Sequence, residues 1–204
     1  MELEAINRRL FEILNAHVGL SGLSLGLATL AAKGAIGVLA VLLTWNWLSA
    51  GPRERRALAR LVIAVPLALA LNYLVGLVYP HARPFMIGLG HTFFSHCPES
   101  SFPSDHASAM WTVAFGMLIW SRAKWAGGVA IVLAALTSWA RVFLGVHFPF
   151  DILGSMAVAV AALVTLRATI DRNITCRIHQ GVPNAKAHVM SITGDDRPPR
   201  SDLT

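Results

Sequence analysis

Apolar and polar residues separate along this chain into long blocks. Residues 20–48 carry one charge, Lys33, and LVIAVPLALALNYLVGLVY (61–79) carries none. Runs of this length suit the roughly 20 residues that cross a bilayer's hydrocarbon core. Three shorter apolar runs follow, at about 107–121, 125–140 and 152–166, each flanked by polar residues that can sit at the interface. Ahead of them, Leu3, Ile6, Leu10, Leu14 and Val18 share one helical face, with Glu4, Arg8, Arg9 and Glu12 largely elsewhere. That is the pattern of a helix lying along a membrane surface. The expected fold is all-α, a polytopic membrane bundle of about five transmembrane helices within 20–168. An interfacial helix over 1–19 precedes it, and a polar, mobile cytoplasmic tail over 169–204 follows.

Composition supports a membrane protein over a soluble helical one: 55% of the 204 residues are hydrophobic and 14% charged. The net charge of +6 does not point to nucleic acid, because the basic residues form no stripe with interleaved aromatics. They sort by loop instead. Arg53, Arg55, Arg56 and Arg60 precede the second span, Arg122 and Lys124 separate the third from the fourth, and Arg167, Arg172 and Arg177 follow the fifth. The positive-inside rule places these groups in the cytoplasm and loops 80–105 and 141–150 on the outer face. Arg8 and Arg9 count against this orientation unless they lie on the interfacial helix. Trp45, Trp47, Trp111, Trp120 and Trp125 fall near span ends and read as interfacial anchors. Cys97 and Cys176 fall on opposite sides of the membrane, which argues against a disulfide. RRLF (8–11) faintly resembles an export signal, but the long apolar run behind it has no cleavage site. The NIT sequon (173–175) would be idle on the inner face.

Nearly all the unusual residues lie in the outer loops. One holds HARPF, with Arg83, and then FPSDH, with Ser104, Asp105 and His106; the other reads ARVFLGVHFPFD, with Arg141, His147 and Asp151. Arginine is costly within a bilayer unless it meets protein, water or an anion, and guanidinium pairs bidentately with phosphate. Ser104 stands at a helix N-cap position, where free N–H groups and the helix dipole add to phosphate binding. His147 and Asp151, four apart with Pro149 between them, fall on one face of a first helical turn. A carboxylate there fixes the imidazole tautomer and leaves the other ring nitrogen free to attack, while His106 can protonate a leaving oxygen. The set suits phosphoryl transfer through a phosphohistidine, with the arginines and helix dipole in place of a metal, so no cofactor is expected. Taken singly, each residue has a plainer role: interfacial histidine, helix cap or snorkelling arginine.

Arg83-Pro84, the PSDH of 103–106, and Arg141 with His147 and Asp151 resemble the three signatures of the type-2 phosphatidic acid phosphatase superfamily, which includes vanadium haloperoxidases. The resemblance runs from about 72 to 155 and implies His147 as nucleophile, Asp151 as its partner and His106 as general acid. It makes Arg83, Ser104 and Arg141 phosphate ligands. PHARPF with FPSDH looks like the bacitracin-resistance type of undecaprenyl-diphosphate phosphatase. That implies a bacterial inner-membrane enzyme that recycles the cell-wall carrier lipid outside the membrane. Other lipid phosphates (lipid A, phosphatidylglycerol phosphate) and phosphotransfer to a second lipid remain alternatives. A small transporter is a different class, and it would need polar residues along the mid-spans, which the fourth and fifth lack.

The chain departs from the family pattern in three places. Gly76 stands where the first signature has a lysine, Ala140 where the third has a serine, and Asp105 where the second commonly has glycine. Lys33 either faces the phosphate site in place of the missing lysine, pairs with Asp105, or snorkels outward. Asp105 beside a phosphate must point away or pair with a cation. His81, His91 and His96 share the first outer loop at spacings that match no common metal site.

Overall fold

The computed structural model describes residues 2–19, 21–93 and 98–180, the side chains of 174–180 excepted. His96, Cys97 and the tail beyond 180 lie outside these residues, as do the side chains of Cys176 and Arg177. The described secondary structure is helical, without strands. Two compact units divide the chain, Met1–Leu166 and Arg167–Thr204. In the second, helix continues to Gln180, where sequence predicts a polar tail, and Arg167 pairs with Asp171 at 3.8 Å with both side chains exposed.

The first unit begins with α1 (Glu2–Leu14). Helix α2 (Gly22–Thr29), a π-helical turn (Leu30–Gly34) and α3 (Ala35–Ser49) then run on as one helical segment. α4 (Pro52–Val78), a short 3-10 turn (Pro84–Ile87), α5 (Asp105–Trp120), α6 (Lys124–Phe143) and α7 (Pro149–Gln180) follow. Among the described residues, four segments are long and apolar enough to cross a membrane: Gly22–Ser49, Pro52–Val78, Lys124–Phe143 and Pro149–Asn173. Their outer faces carry Val41, Val62, Leu74, Leu77, Val132 and Val164, all exposed large apolar side chains that suit lipid contact.

The third expected span differs. α5 has 16 residues, about 24 Å at 1.5 Å per residue, short of a core of roughly 30 Å. Its outer end is taken up by the non-helical segment through Ser104, which belongs to the site described below. α5 is also the most enclosed helix. Ala107, Met110, Ala114 and Met117 are fully buried, opposite Ala126, Ala130 and Ala134 of α6 and Ala159 of α7. Small residues let helix axes approach closely where lipid removes the hydrophobic drive. Polar side chains bind the helices further: Ser108 Oγ donates to Asn72 Oδ1 (2.9 Å), and Thr137 Oγ1 to the Ala31 carbonyl in the π-helical turn (3.1 Å). Trp111 belongs to this packing and is not an interfacial anchor. It is 8% exposed and its indole N–H donates to Ser138 Oγ at 3.0 Å.

The amphipathic reading of residues 1–19 holds for a helix, but the helix docks through the side that carries Asn7 and Phe11 and not through its leucine stripe. Asn7 and Phe11 are its buried residues, while Leu3, Ile6, Leu10 and Leu14 remain exposed. Asn7 Oδ1 accepts the Phe150 N–H at 3.0 Å, and the Phe11 and Phe148 rings stand 5.3 Å apart. The chain after α1 is tied down by Asn15, which donates to the His91 and Phe143 carbonyls (both 3.0 Å). Alternating helix directions bring 79–93, 98–104 and 144–148 together at the α1 end of the unit; the connections after α3 and α5 lie at the other.

Candidate active site

Helix-end chemistry fixes the segment that carries His147. α6 ends in a Schellman motif: Val146 N–H donates to the Arg141 carbonyl and Gly145 N–H to the Val142 carbonyl, both at 3.0 Å. Gly145 occupies the left-handed position that this motif requires, at φ +80°. The turn therefore ties His147 directly to the backbone of Arg141. Pro149 then opens α7, as its place in the sequence predicts, so His147 precedes the helix and Asp151 lies in its first turn. Asp151 Oδ2 accepts the Phe148 N–H at 2.8 Å, the reciprocal half of a capping box.

His147 is 1% exposed. Its Nδ1 lies 2.9 Å from the Ser101 carbonyl and 3.4 Å from Asp151 Oδ2. The carbonyl can only accept, so Nδ1 carries the proton, and the Ser101 backbone shares with Asp151 the orienting role expected of Asp151 alone. Nε2 then presents its lone pair to Arg83 Nη1, 3.2 Å away. Burial, with the charges of Arg141 and Arg83, outweighs Asp151 and lowers the imidazole pKa from 6.5 to about 4. The ring is neutral at pH 7, the form in which Nε2 has a lone pair to offer.

Arg83 is buried and aimed by the loop backbone: Nε donates to the Glu99 carbonyl (3.1 Å) and Nη2 to the Ser100 carbonyl (3.3 Å). Arg141, in the last turn of α6, is 2% exposed. Neither arginine snorkels. Ser104 is the N-cap residue of α5, but its side chain makes no capping bond. Its backbone is held by Ser155, whose hydroxyl accepts the Ser104 N–H (2.9 Å) and donates to the Ser104 carbonyl (3.0 Å). Among the described residues, Ser104 Oγ is left buried with no hydrogen-bond partner, an unusual state for a hydroxyl and one that an incoming phosphate oxygen would end. His106 follows at the second position of α5, half-buried.

A cavity of about 500 Å³ opens beside these residues between α4 and α5, with Arg83, Asn72, Gly76, Phe102 and Asp105 in its lining. Asp105 is exposed there, and its Oδ1 accepts from Asn72 Nδ2 at 2.9 Å. A neutral amide thus holds the carboxylate. Gly76 leaves open the space that a longer side chain would fill: a Cβ built there meets nothing nearer than 3.7 Å. Lys33 is exposed on the π-helical turn and is not among the residues that line the cavity.

Three contributors were not foreseen from sequence. Ser101 supplies its carbonyl to His147 and its hydroxyl to Asp151 Oδ2. Ser155 braces Ser104. His81, considered above only as a metal ligand, stands behind Asp151, with Nδ1 3.7 Å from Oδ1. Among the described residues, no group of three or more His, Cys, Asp or Glu could hold a metal ion.

The family model of the PAP2 superfamily matches residues 57–174 of this chain. An Escherichia coli K12 protein, YbjG, whose name gives it provisionally as an undecaprenyl-diphosphatase, is 36% identical over 154 residues, 76% of this chain and 77% of that protein. The Bacillus subtilis undecaprenyl-diphosphatase BcrC is 34% identical over 126 residues, 62% of this chain and 64% of that protein. Aquifex aeolicus LpxE shares the fold with a TM-score of 0.64 at 22% identity, over 80% of this chain and 95% of that one. The family match runs from α4 into α7 and takes in every member of the constellation from Arg83 to Asp151: the chain belongs to the PAP2 superfamily.

Proposed function

We propose that this lipid phosphatase removes the terminal phosphate from undecaprenyl diphosphate through a phosphohistidine on His147. The observation that carries the reading is the direction of Nε2. Its lone pair faces a buried arginine 3.2 Å away, while the opposite ring nitrogen is held by Ser101 and Asp151. A terminal phosphate bound by Arg83, Arg141 and Ser104 Oγ would lie in front of that lone pair.

Nε2 attacks the phosphorus in line, forming the N–P bond as the bond to the bridging oxygen breaks. The departing prenyl phosphate takes a proton from His106. Asp151 and the Ser101 carbonyl stabilise the positive charge that develops on the imidazole. Water, deprotonated by His106, then attacks phosphohistidine and releases inorganic phosphate. The arginines and the α5 N-terminus neutralise phosphate charge through both steps. The cavity between α4 and α5 supports a lipid substrate, since it leads from Arg83 past Leu69, Tyr73 and Leu77 on α4. In a bacterial inner membrane with the site facing outward, the reaction would return the carrier lipid monophosphate to cell-wall synthesis. The substrate follows the names of the two relatives.

The test is phosphate release from undecaprenyl diphosphate by the purified protein in detergent with excess chelator, beside His147→Ala. Release by the wild type and none by the variant is expected. A folded wild type that spares this substrate but hydrolyses lipid A or phosphatidylglycerol phosphate would overturn the substrate assignment. Phosphate appearing on a second lipid would make the protein a phosphotransferase.

A further inference from the structure

The mechanism above uses one oxygen of Asp151. The other, Oδ1, is buried without a hydrogen bond among the described residues, and so is the nitrogen facing it, His81 Nδ1, at 3.7 Å. On the far side of the same ring, His81 Nε2 lies 3.6 Å from Glu4 Oε2 on α1. Both separations are ion-pair distances, roughly 0.8 Å longer than a hydrogen bond. Stacking on Tyr79 (6.0 Å between centroids) and contact with Phe148 (5.3 Å) hold the ring between the two carboxylates. Its backbone is fixed on both sides, by Ser100 Oγ on its N–H (3.2 Å) and by the Ser101 N–H on its carbonyl (2.7 Å).

We infer that His81 is a positioning residue for Asp151 and that Glu4, His81, Asp151 and His147 form one chain linking the surface helix α1 to the nucleophile. This rests on the reading of His147 and Asp151 given above. An ionised carboxylate can only accept hydrogen bonds, and a neutral imidazole has one N–H to give. Placed between two carboxylates, His81 satisfies both only as imidazolium. The charged groups facing the ring are Glu4 from α1 and Asp151 from α7, with His147 beyond Asp151. The Asp151 carboxylate, and behind it Glu4, raise the His81 pKa against the opposing effect of burial. The chain is therefore complete below that raised pKa. It loses one link as pH rises through it, leaving a carboxylate opposite a lone pair. Asp151 then loses its second tether, and α1 loses a charged contact with the site.

The experiment combines turnover and a direct titration. The pH dependence of kcat/KM would be measured for wild type, Glu4→Gln and His81→Gln in detergent, with phosphohistidine on His147 assayed in each. Histidine ¹⁵N resonances would be followed over the same pH range, that of His81 being identified by its loss in His81→Gln. Glu4→Gln should lower the His81 titration, by less than loss of a fully buried partner would because Glu4 is partly exposed. The alkaline fall in kcat/KM should move with it. His81→Gln should reduce kcat/KM by about tenfold or less, because the ion-pair contact it removes is longer than a hydrogen bond to a charged group, and should remove the dependence on Glu4. If the His81 titration moves while the activity profile stays in place, the chain does not operate. A wild type that labels no histidine would instead overturn the phosphohistidine reading, so the two failures are distinct.

Discussion

His147 is buried in its neutral form, and that has a consequence for stability as well as for attack. The unfolded chain takes up a proton at this ring near pH 6.5, the folded one only near pH 4. Between those values the unfolded state binds more protons, so His147 makes the fold less stable as pH falls from 6.5 toward 4, by about 3 kcal/mol at the lower end. Thermal unfolding in detergent at pH 7 and pH 4.5 should show a drop in the wild type that shrinks in His147→Asn. An equal drop in both would mean that other groups set the acid sensitivity. Ser101 offers a subtler case. Ser101→Ala removes the hydroxyl from Asp151 Oδ2 but keeps the carbonyl on His147 Nδ1. Turnover should fall about tenfold or less, well short of the complete loss expected for His147→Ala; a loss as deep would give the hydroxyl a direct part in the chemistry. Residue types and spacing made Arg83, Ser104, Arg141, His147 and Asp151 legible as one cluster. Ser101 was not legible, because it acts mainly through a backbone carbonyl that any residue would supply. His81 carried a signal, two residues before Arg83, but only the fold shows that it faces a carboxylate and not a metal.

At the level of elements, the link between α6 and α7 is tightly constrained backbone. Gly145 combines φ +80° with close approach: a Cβ there would overlap the His91 carbonyl oxygen. Gly145→Ala should cost at least ~1–2 kcal/mol for the left-handed conformation alone, with steric overlap added. It should lower both the unfolding temperature and turnover, since the same turn positions His147. Unchanged stability would mean the loop can shift away from His91 without disturbing α6. Helix α1 invites a parallel test. Asn7→Ala leaves the Phe150 N–H in the first turn of α7 without its acceptor, a loss of about 1–3 kcal/mol. Its apolar stripe was legible as a periodicity, yet that stripe does not say which face meets the protein, because lipid accepts the leucines as readily as a core would. The shortness of α5 was hidden for a related reason. The apolar run 107–121 has the composition of a span, and only the packing of its alanines against α6 and α7 shows that protein covers most of it.

At the scale of the molecule, most of the exposed positive charges of the first unit lie at one end. Arg53, Arg55, Arg56, Arg122 and Lys124 are exposed around the α3–α4 and α5–α6 connections, with Arg55 over the Trp47 ring (6.0 Å) and Arg60 over Trp120 (5.8 Å). The opposite end holds Arg83 and Arg141, but both are buried in the site and add no positive charge to the surface. Arg8 and Arg9 remain there, the first paired with Glu4 at 2.9 Å. The surface asymmetry is therefore sharper than a residue count along the chain suggests, and it argues that the active-site end faces outward. Single cysteines in a background lacking Cys97 and Cys176 test this. Met86→Cys, exposed beside the site, should react with a membrane-impermeant maleimide on intact cells, and Arg122→Cys only after the membrane is opened. The reverse pattern would put His147 in the cytoplasm. The diphosphate released outside by cell-wall assembly would then be out of its reach, and the phosphatase would have to draw on lipid made or returned inside.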